Sequence, residues 1–343
     1  MDKKSKVTIK DVAIRAGVGV GTVSRAINGS HAINPETKKK VLDSIQELGY
    51  VPDPVAQSMR SGKYKSVAYF VNDISNMALA NVAKGMQDYL ERMGYTLILY
   101  NTGDADLTEK VRSVIQGRKL DGIVLSIPRE NDEELNALLA ETNLPIVTID
   151  RQLPGIPAGV LTDYTSGVKE AVRYLLSLGH RGIVLLTGTR HILPTRLITQ
   201  SFTEAFAEAG LSCGDDAVME GEFTIEFGRR AVQALLPQIR SKRKTAIMTL
   251  NNNIFKGVLQ TTREHGIEYP QDISLISGED SDLSQFLMPA VTIISRPLTE
   301  IGQNVAKYLV RYISDPVAGK TAAPFRMETG LIVRDSCRAV ALP

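Results

Sequence analysis

The chain has 343 residues, 43% of them hydrophobic, and carries 40 lysines and arginines against 38 acidic residues, a formal net charge of +2. This length allows two or three domains with buried cores. Two cysteines, Cys213 and Cys337, do not make a disulfide framework, and no apolar run approaches the ~20 residues that a membrane helix needs. Because the N-terminal stretch also lacks a signal-peptide pattern, we expect a cytoplasmic protein without membrane contact.

The net charge differs between the two ends of the chain. Residues 1–65 hold twelve lysines and arginines against six acidic residues, net +6, which leaves 28 against 32, net −4, for the remainder. This asymmetry is expected when only the basic part of a protein meets the phosphates of a nucleic acid.

The segment 8–28 predicts two short helices joined by a glycine-rich turn. Thr8 is a good N-cap residue and Gly17 a good terminator for the first helix. A second helix would start near Gly21, and a third would have Pro35 at its first position. The apolar residues expected in their shared core are Ile9, Val12, Ala13, Ala16, Val23, Ala26, Ile27, Val41, Leu42, Ile45 and Leu48. Three such helices suffice for a helix-turn-helix DNA-binding domain.

The second helix of a helix-turn-helix lies in the major groove, where its first polar side chains reach base edges. Arg25 is the sharpest candidate, because a guanidinium can donate two hydrogen bonds to guanine O6 and N7. Thr22, Ser24 and Asn28 share the exposed face of this helix. The same spacing also arises by chance in helical proteins, so the basic charge of the segment is needed to support the interpretation.

Residues 51–65 predict a hinge. Pro52 and Pro54 prevent the third helix from continuing, and the residues after them could form one or two helical turns. A helix this short would order only against a second copy or against DNA, where Met59 could wedge into a minor-groove step. The alternative is a solvated linker.

From residue 66 onward, short β-rich runs alternate with longer helical stretches. Apolar runs with little alternation are typical of strands buried on both faces, which favours parallel α/β sheets. The expected strands are 67–71, 96–100, 122–127, 146–150, 182–186, 245–250 and 273–277, and the expected helices are 80–93, 107–118, 132–141, 166–178, 199–209, 225–236 and 254–265. Two similar halves indicate two subdomains with a cleft between them. The loops expected to line it follow Val71, Ile127, Asp150, Leu186, Leu250 and Ser277.

Motifs typical of enzymes are weak in this chain. The glycines at 17, 19 and 21 lack the third glycine and the preceding strand of a dinucleotide-binding loop, and SDPVAGKT at 314–321 begins with serine where a phosphate loop has glycine. No nucleophile elbow, HExxH motif or paired-cysteine metal site occurs. His180 fits a surface turn or cap. We therefore expect no catalytic residues, no metal and no cofactor.

Motifs along nearly the whole chain keep one order and spacing: TIKDVA, AGV, TVSRAING, ELGYVPDPVAQSM, GYTLILYNT, KLDGIVLS, VLTDYTSGV, LGHRGIVLLTG, PQDISLISGED and MPAVTIISRP. Together they resemble the lactose/galactose repressor family of bacterial transcription regulators. The resemblance implies a homodimer whose two helix-turn-helix domains bind a palindromic DNA operator. It also implies hinge helices in the minor groove and a periplasmic-binding-protein-like core that binds a small-molecule effector, most simply a sugar or sugar derivative.

The implied domains are a helix-turn-helix domain at 1–50, a hinge at 51–65 and a core at 66–343, with subdomains of about 66–162 plus 293–325 and 163–292 plus 326–343. Carried over by position, DNA contacts would come from Thr8, Val20, Gly21, Thr22, Ser24, Arg25, Asn28, His31 and Met59. The chain departs from the family at Val20 and Gly21, which are apolar or bare. Met59 stands where the family's wedge is usually leucine, which has a similar volume.

The resemblance also implies residues that bind the effector. Asp163 and Asp280 match positions with polar ligand groups, Phe223 matches a stacking position, and Asn252 stands where the family usually has aspartate. The family's aromatic pair and arginine correspond to Ala78, Leu79 and Ile198, which argues against a common pyranose or purine effector. Arg196 could pair with an anionic ligand instead. The structural alternatives are that Asp163 caps the helix near Ser166 and that Arg196 is an exposed loop residue.

Two functions of other kinds stay open at this point. One is a small-molecule binding protein or metabolic enzyme with a basic N-terminus. The other is a regulator whose DNA affinity is set by a protein partner.

Overall fold

The computed structural model divides into two units, Met1–Tyr64 and Lys65–Pro343, which we call the head and the core and describe separately. The structure describes residues 7–27, 33–51, 63–103, 106–117, 119–278 and 282–340. The predicted hinge helix with Met59, and the predicted site residues Asn28, His31 and Asp280, lie outside these ranges.

The described part of the head contains the three expected helices: α1 (Ile9–Ala16), α2 (Val20–Ile27) and α3 (Pro35–Leu48). Thr8 precedes α1, and the Asp11 carboxylate accepts hydrogen bonds from the Thr8 hydroxyl and backbone N–H, both at 2.7 Å. These bonds lower the pKa of Asp11. Asn34 caps α3, because its side-chain oxygen accepts a hydrogen bond from the Glu36 N–H at 2.9 Å.

The head core is small and mostly as predicted. Its buried residues are Val12, Ala13, Val23, Ala26 and Val41. The prediction for Leu42 is wrong, since this side chain is 46% exposed. Ser44 is buried instead and donates a hydrogen bond to the Lys40 carbonyl at 2.8 Å. Each helical residue advances by about 100° around the axis, so the position next to Val41 turns away from the core.

The first of two lobes in the core, lobe 1, is built on β1 (Ser66–Val71), β2 (Thr96–Asn101), β3 (Gly122–Ser126), β4 (Ile146–Ile149), β5 (Ala158–Asp163) and β11 (Phe325–Glu328). The six strands are parallel, in the order β11-β5-β4-β3-β1-β2. One face of the sheet is covered by α4 (Met77–Arg92) and α12 (Leu298–Ser314), and the other by α5 (Leu107–Gly117) and α6 (Glu133–Glu141). A short helix, α13 (Pro316–Thr321), precedes β11.

Lobe 2 repeats this arrangement with β6 (Ile183–Thr187), β7 (Val218–Glu220), β8 (Ala246–Thr249), β9 (Ser274–Gly278), β10 (Thr292–Ser295) and β12 (Gly330–Ile332). Their order is β12-β10-β9-β8-β6-β7, and only the pair β10–β12 is antiparallel. The helices α7 (Thr165–Ser177) and α8 (Leu193–Glu208) cover one face, and α9 (Ile225–Arg240) and α10 (Asn252–Glu264) the other. A further short helix is α11 (Asp282–Phe286).

The predicted α/β fold with two parallel-sheet lobes is confirmed. Every predicted strand and helix of the core is present, with the largest error at α8, which begins at Leu193 and not at 199. The strands β5, β7, β10 and β11 were not predicted. Residues 316–321 are helical, so SDPVAGKT does not form a phosphate loop. Among the helices that the structure describes, none combines the length and apolar character that crossing a bilayer requires.

The chain passes between the lobes three times, after β5, after β10 and after β11. The expected segments 293–325 and 326–343 begin inside β10 and β11, so the strands place both boundaries slightly later in the chain. Two glycines bring α4 and α12 of lobe 1 together. A Cβ on Gly85 would lie 2.0 Å from the Thr299 carbonyl oxygen, and one on Gly302 would lie 2.0 Å from that of Val82.

The three crossovers are joined by buried polar contacts. Arg296 follows β10, and its Nη2 donates to Asp150 Oδ2 at 2.5 Å and to the Thr162 hydroxyl at 3.0 Å. The Arg296 and Asp150 side chains are only 10% and 8% exposed. At the third crossover the Thr329 hydroxyl donates to the Asp163 carbonyl at 2.9 Å. The bonds from Arg296 to Thr162 and from Thr329 to Asp163 therefore join the second and third crossovers to the first.

His180 lies between α7 and β6 and is buried, so the prediction of a surface turn is wrong. Its Nε2 lies 3.1 Å from the Arg338 carbonyl oxygen, which can only accept, and its Nδ1 lies 2.8 Å from the Thr245 hydroxyl. Nε2 therefore donates to this carbonyl, and the lowered pKa of the ring makes it neutral at pH 7. Burial lowers the pKa of His180 from 6.5 to about 4.

The buried ion pair between Asp150 and Arg296 predicts a large effect of Asp150→Asn. Asp150 has a positive φ of 52°, a conformation that asparagine also tolerates, so this change removes the charge with little backbone strain. We expect a loss of about 3–5 kcal/mol in the free energy of unfolding, because the change removes the carboxylate that neutralises the buried Arg296 guanidinium. Urea unfolding measures it. The control is Glu222→Gln in an exposed pair with Arg230, which should cost no more than about 1 kcal/mol. Equal losses would contradict the structural role of the pair.

The burial of neutral His180 predicts a loss of stability in mild acid. The unfolded chain binds a proton at this residue below about pH 6.5, whereas the folded chain does so only near pH 4. Its contribution is therefore complete above pH 6.5 and falls as the pH falls, by about 2 kcal/mol between pH 7 and pH 5. Urea unfolding at both pH values should show this loss in the wild type and in the exposed-histidine control His191→Gln, but not in His180→Gln. The same loss in all three proteins would count against this assignment.

Candidate functional site

The outer face of α2 carries side chains expected to contact DNA. Val20 is 37% exposed and Arg25 is exposed, while Thr22 and Ser24 are half-buried. Arg25 stays close to its own helix: its Nε donates to the Gly21 carbonyl at 3.2 Å and its Nη2 to the Thr22 hydroxyl at 3.5 Å. Both bonds are long and join exposed groups, so a better acceptor could replace them.

The surface around α2 is open and basic. A Cβ on Gly21 would meet nothing within 4 Å, and Thr8 is exposed at the start of α1. The exposed cations of the described head are Lys10, Arg15, Arg25, Lys38, Lys39, Lys40 and Lys63. Arg15 forms an ion pair with Glu47 at 2.6 Å. Exposed polar groups flanked by cations are the combination that reads bases while holding phosphates.

The second candidate site is a cleft between the two lobes of the core. Of the six loops expected to line it, those after Val71, Ile127, Asp150, Leu186 and Leu250 do so. The loop after Ser277 lies largely outside the described residues. The centres of water molecules can occupy a volume of about 140 Å³ in the cleft, which is room for on the order of ten waters. This size suits a small molecule.

The cleft is lined by polar groups and by an apolar wall. The polar residues are Tyr69, Asn72, Asp73, Asn76, Ser126, Asp150, Arg151, Thr187, Thr195, Asn251, Asn253 and Arg296. Ala78, Leu79 and Ile198, the positions matched to the family's aromatic pair and arginine, line it as apolar residues. Such a site fixes a polar ligand by a few hydrogen bonds and excludes water elsewhere.

Phe223, the predicted stacking residue, lies in the cleft. Its ring packs on Gly188, where a Cβ would lie 1.9 Å from the Phe223 Cζ atom, so only glycine leaves room for the ring. Asn253 Nδ2 donates to the Phe223 carbonyl at 3.4 Å and links the aromatic residue to α10.

Asp163 does not line the cleft in the described structure. Its carboxylate accepts a hydrogen bond from the Thr165 N–H at 2.9 Å, at the start of α7. The geometry of Asp163 therefore matches the helix-capping alternative. The helix begins at Thr165, one residue earlier than expected.

Arg196 is exposed, as the alternative expected, but it belongs to a helix and not to a loop, and it does not line the cleft in the described structure. It lies in the first turn of α8, and its Nη2 pairs with Glu130 Oε2 at 2.8 Å. Glu130 is 8% exposed, and its Oε1 also accepts from Gln152 N–H at 3.0 Å and from Leu193 N–H at 2.9 Å. Because Glu130 and Gln152 belong to lobe 1 and the other two to lobe 2, this carboxylate joins the lobes.

Asn252 makes a second contact between the lobes. It is buried in the first turn of α10, and its Nδ2 donates to Asn76 Oδ1 at 3.4 Å. Asn76 in turn caps α4 through the Ala78 N–H. Asn252 is therefore placed beside the cleft, while its neighbours Asn251 and Asn253 line it.

Sequence reasoning did not single out several residues of the cleft. Asn72, Asp73 and Arg151 directly follow strands, a position that by itself marks the ligand-binding edge of a parallel sheet. Tyr69 lies within β1, and nothing in its sequence environment distinguishes it from a core aromatic residue. Arg296 belongs to a crossover, which only the sheet order identifies.

Comparison with known families gives two matches. Residues 8–53 match the model for bacterial regulatory proteins of the lacI family, and residues 172–337 match a periplasmic binding protein-like domain. Catabolite control protein A of Priestia megaterium is 30% identical over 334 residues, which cover 94% of this chain and 98% of that protein. The HTH-type transcriptional repressor PurR of Vibrio campbellii is 30% identical over 335 residues, covering 96% and 98%.

Solved structures of similar proteins include a complex of the transcriptional regulator CelR with cellobiose. It has a TM-score of 0.70 and 29% identity, and the match covers 96% of this chain and 99% of that one. The Lac repressor dimer bound to operator and the anti-inducer ONPF has a TM-score of 0.81 over 98% of this chain and 100% of that one, at 21% identity, which shows a shared fold. With full-length relatives at 30% identity, this chain belongs to the LacI family of transcriptional regulators and is not an enzyme.

Proposed function

We propose that this protein is a repressor that binds a palindromic operator as a homodimer, and that a small polar molecule in the core cleft sets its DNA affinity. The effector we propose is a sugar or sugar derivative. The observation that carries the proposal is the combination of an exposed, basic α2 surface with a separate polar cleft between two lobes.

The small size of the head supports a homodimer. A single small DNA-binding module buries roughly 600–1,000 Å² on DNA, which gives limited affinity and specificity. Two identical heads on one twofold-symmetric site multiply both, because the second contact becomes intramolecular. The Lac repressor structure with a similar fold is a dimer on its operator, which supports the same arrangement here.

A sugar-like effector fits the lining of the cleft. Asparagine amides can both donate to and accept from hydroxyl groups. Phe223 and four asparagines line the cleft: Asn72, Asn76, Asn251 and Asn253. The similar CelR structure holds cellobiose. The reduced aromatic surface at Ala78 and Leu79 favours a ligand held mainly by hydrogen bonds.

Effector control would act through the angle between the lobes. A ligand that contacts both lobes stabilises one relative orientation of the lobes. The lobes would change that orientation about the three crossovers that connect them. If that orientation sets the separation of two heads in a dimer, ligand and operator affinities are coupled in both directions. A protein partner in place of a metabolite is the alternative that the effector screen below would expose.

Selection of bound duplexes from a random pool tests the DNA-binding part of this proposal. A short near-palindrome should be enriched, the complex should contain two chains by sedimentation, and its affinity should fall steeply with salt. A monomeric complex, or no sequence preference, would contradict the proposal. Adding neutral and acidic sugars to the selected complex then tests effector control, since an effector must change operator affinity.

The position of Arg25 predicts a loss of specificity in Arg25→Ala. We expect a cost of about 1–3 kcal/mol on the selected operator and much less on random DNA, because the side chain would read a base edge. Titrations on both duplexes at one salt concentration measure it. Arg15→Ala is the matched control, since Arg15 is exposed on α1 and any loss should be equal on both duplexes. Equal losses in Arg25→Ala would refute base reading.

A further inference from the structure

Arg151 directly follows β4 and Asp150, and its guanidinium lines the cleft. Its Nε donates to the Ile127 carbonyl, and its Nη1 donates to the Asp150 carbonyl at 2.8 Å. Both bonds go to neutral backbone acceptors and fix the plane of the guanidinium. They leave Nη2 without a hydrogen-bond acceptor among the described residues.

Two ion pairs lie close to Arg151. Asp150 pairs with Arg296 at 2.5 Å, and Glu130 pairs with Arg196 at 2.8 Å. Asp73, which also lines the cleft, accepts hydrogen bonds from the Ser75 N–H and hydroxyl and has Lys256 as a cationic neighbour. Arg151 has no carboxylate within ion-pair distance in the described part of the chain. Of the two arginines that line the cleft in the described structure, Arg296 is therefore paired with a carboxylate and Arg151 is not.

The Arg151 guanidinium is in a poorly solvated place. Burial lowers the pKa of Arg151, and the nearby carboxylates of Asp150 and Glu130 oppose that shift. A cation without a counter-charge in such a place is costly, so an anion from outside would be bound favourably.

A neutral donor lies beside this cation. The Tyr69 side chain is fully buried, and its hydroxyl lines the cleft near Ser126 of the neighbouring strand. In the described structure this hydroxyl makes no hydrogen bond of good geometry. Burial raises the pKa of Tyr69, so the hydroxyl keeps its proton and can donate it to a ligand oxygen.

We propose that the effector is an acidic sugar derivative whose carboxylate or phosphate binds Arg151 and accepts a hydrogen bond from Tyr69. A guanidinium fork matches the two oxygens of either group. The asparagines and Phe223 face the hydroxylated remainder of the ligand. This inference rests on the proposed effector control and assigns to Arg151 the anion-binding part that sequence reasoning gave to Arg196.

The test compares matched ligands on the full-length protein by calorimetry and by thermal shift. The probes are glucose, gluconate, glucuronate and glucose 6-phosphate, with inorganic phosphate as a minimal anion. We expect at least one acidic sugar to bind about 10- to 100-fold more tightly than glucose. Carboxylate and phosphate can both bind a guanidinium in this way, so the sugar acids and the sugar phosphate are tested separately.

Variants identify the group responsible. Arg151→Gln should abolish the preference for the acidic probe, and Arg151→Lys, which keeps the charge but not the fork, should retain part of it. Tyr69→Phe should weaken acid binding about 2- to 10-fold without changing charge. Arg190→Gln is the control, because this exposed arginine of lobe 2 pairs with Glu220 and does not line the cleft. It should bind like the wild type.

Three outcomes would overturn the inference: equal binding of acidic and neutral probes, an acid preference that survives in Arg151→Gln, or no acidic probe bound at millimolar concentration. A neutral sugar that binds and changes operator affinity would overturn the acidic class alone and leave effector control in place. Operator binding without any ligand response would instead remove effector control. Inorganic phosphate should raise the melting temperature of the wild type and of Arg190→Gln but not that of Arg151→Gln. This result would support the site whichever acidic ligand is the effector.

Discussion

The buried pair between Arg296 and Asp150 is the interaction on which the core depends. It joins the second crossover to the end of β4, and it lies at the inner end of the cleft. Because both side chains are almost fully buried, neither can leave the other without stranding a charge. The crossovers therefore stay in contact with one another when the angle between the lobes changes. A cleft bounded by such connections has a defined inner end and a mouth that can change.

Contacts across the cleft give the lobes a preferred arrangement. Glu130 accepts hydrogen bonds from Arg196 and Leu193 of lobe 2, and Asn252 reaches Asn76 of lobe 1. Each of these polar bonds contributes a modest net free energy. A ligand that bonds to both lobes could add to them or compete with them. In this way a few hydrogen bonds in the cleft would suffice to bias the lobe angle by the few kcal/mol that allosteric control requires.

The ion pairs of the core show why residue type alone did not distinguish Arg196 from Arg151. Arg196 was the conspicuous arginine in the sequence, yet its place in the first turn of α8 gives it Glu130 as a partner. Arg151 directly follows the predicted strand ending in Asp150. Only the structure shows that its guanidinium donates to backbone carbonyls and forms no ion pair with a described residue. Asp163 shows the same limit, since its carboxylate bonds to the start of α7. Which charges are neutralised depends on neighbours distant in sequence.

The sequence by itself determined the local elements, because helix caps, apolar periodicity and buried β-runs act within a few residues. It thus predicted the three head helices, the alternation of strands and helices, and five of the loops that line the cleft. Only the tertiary structure decided the order of the strands, the joining of the crossovers by Arg296 and the burial of His180. These features are contacts between residues far apart in the chain, and no local pattern records which distant carboxylate or carbonyl a side chain will meet.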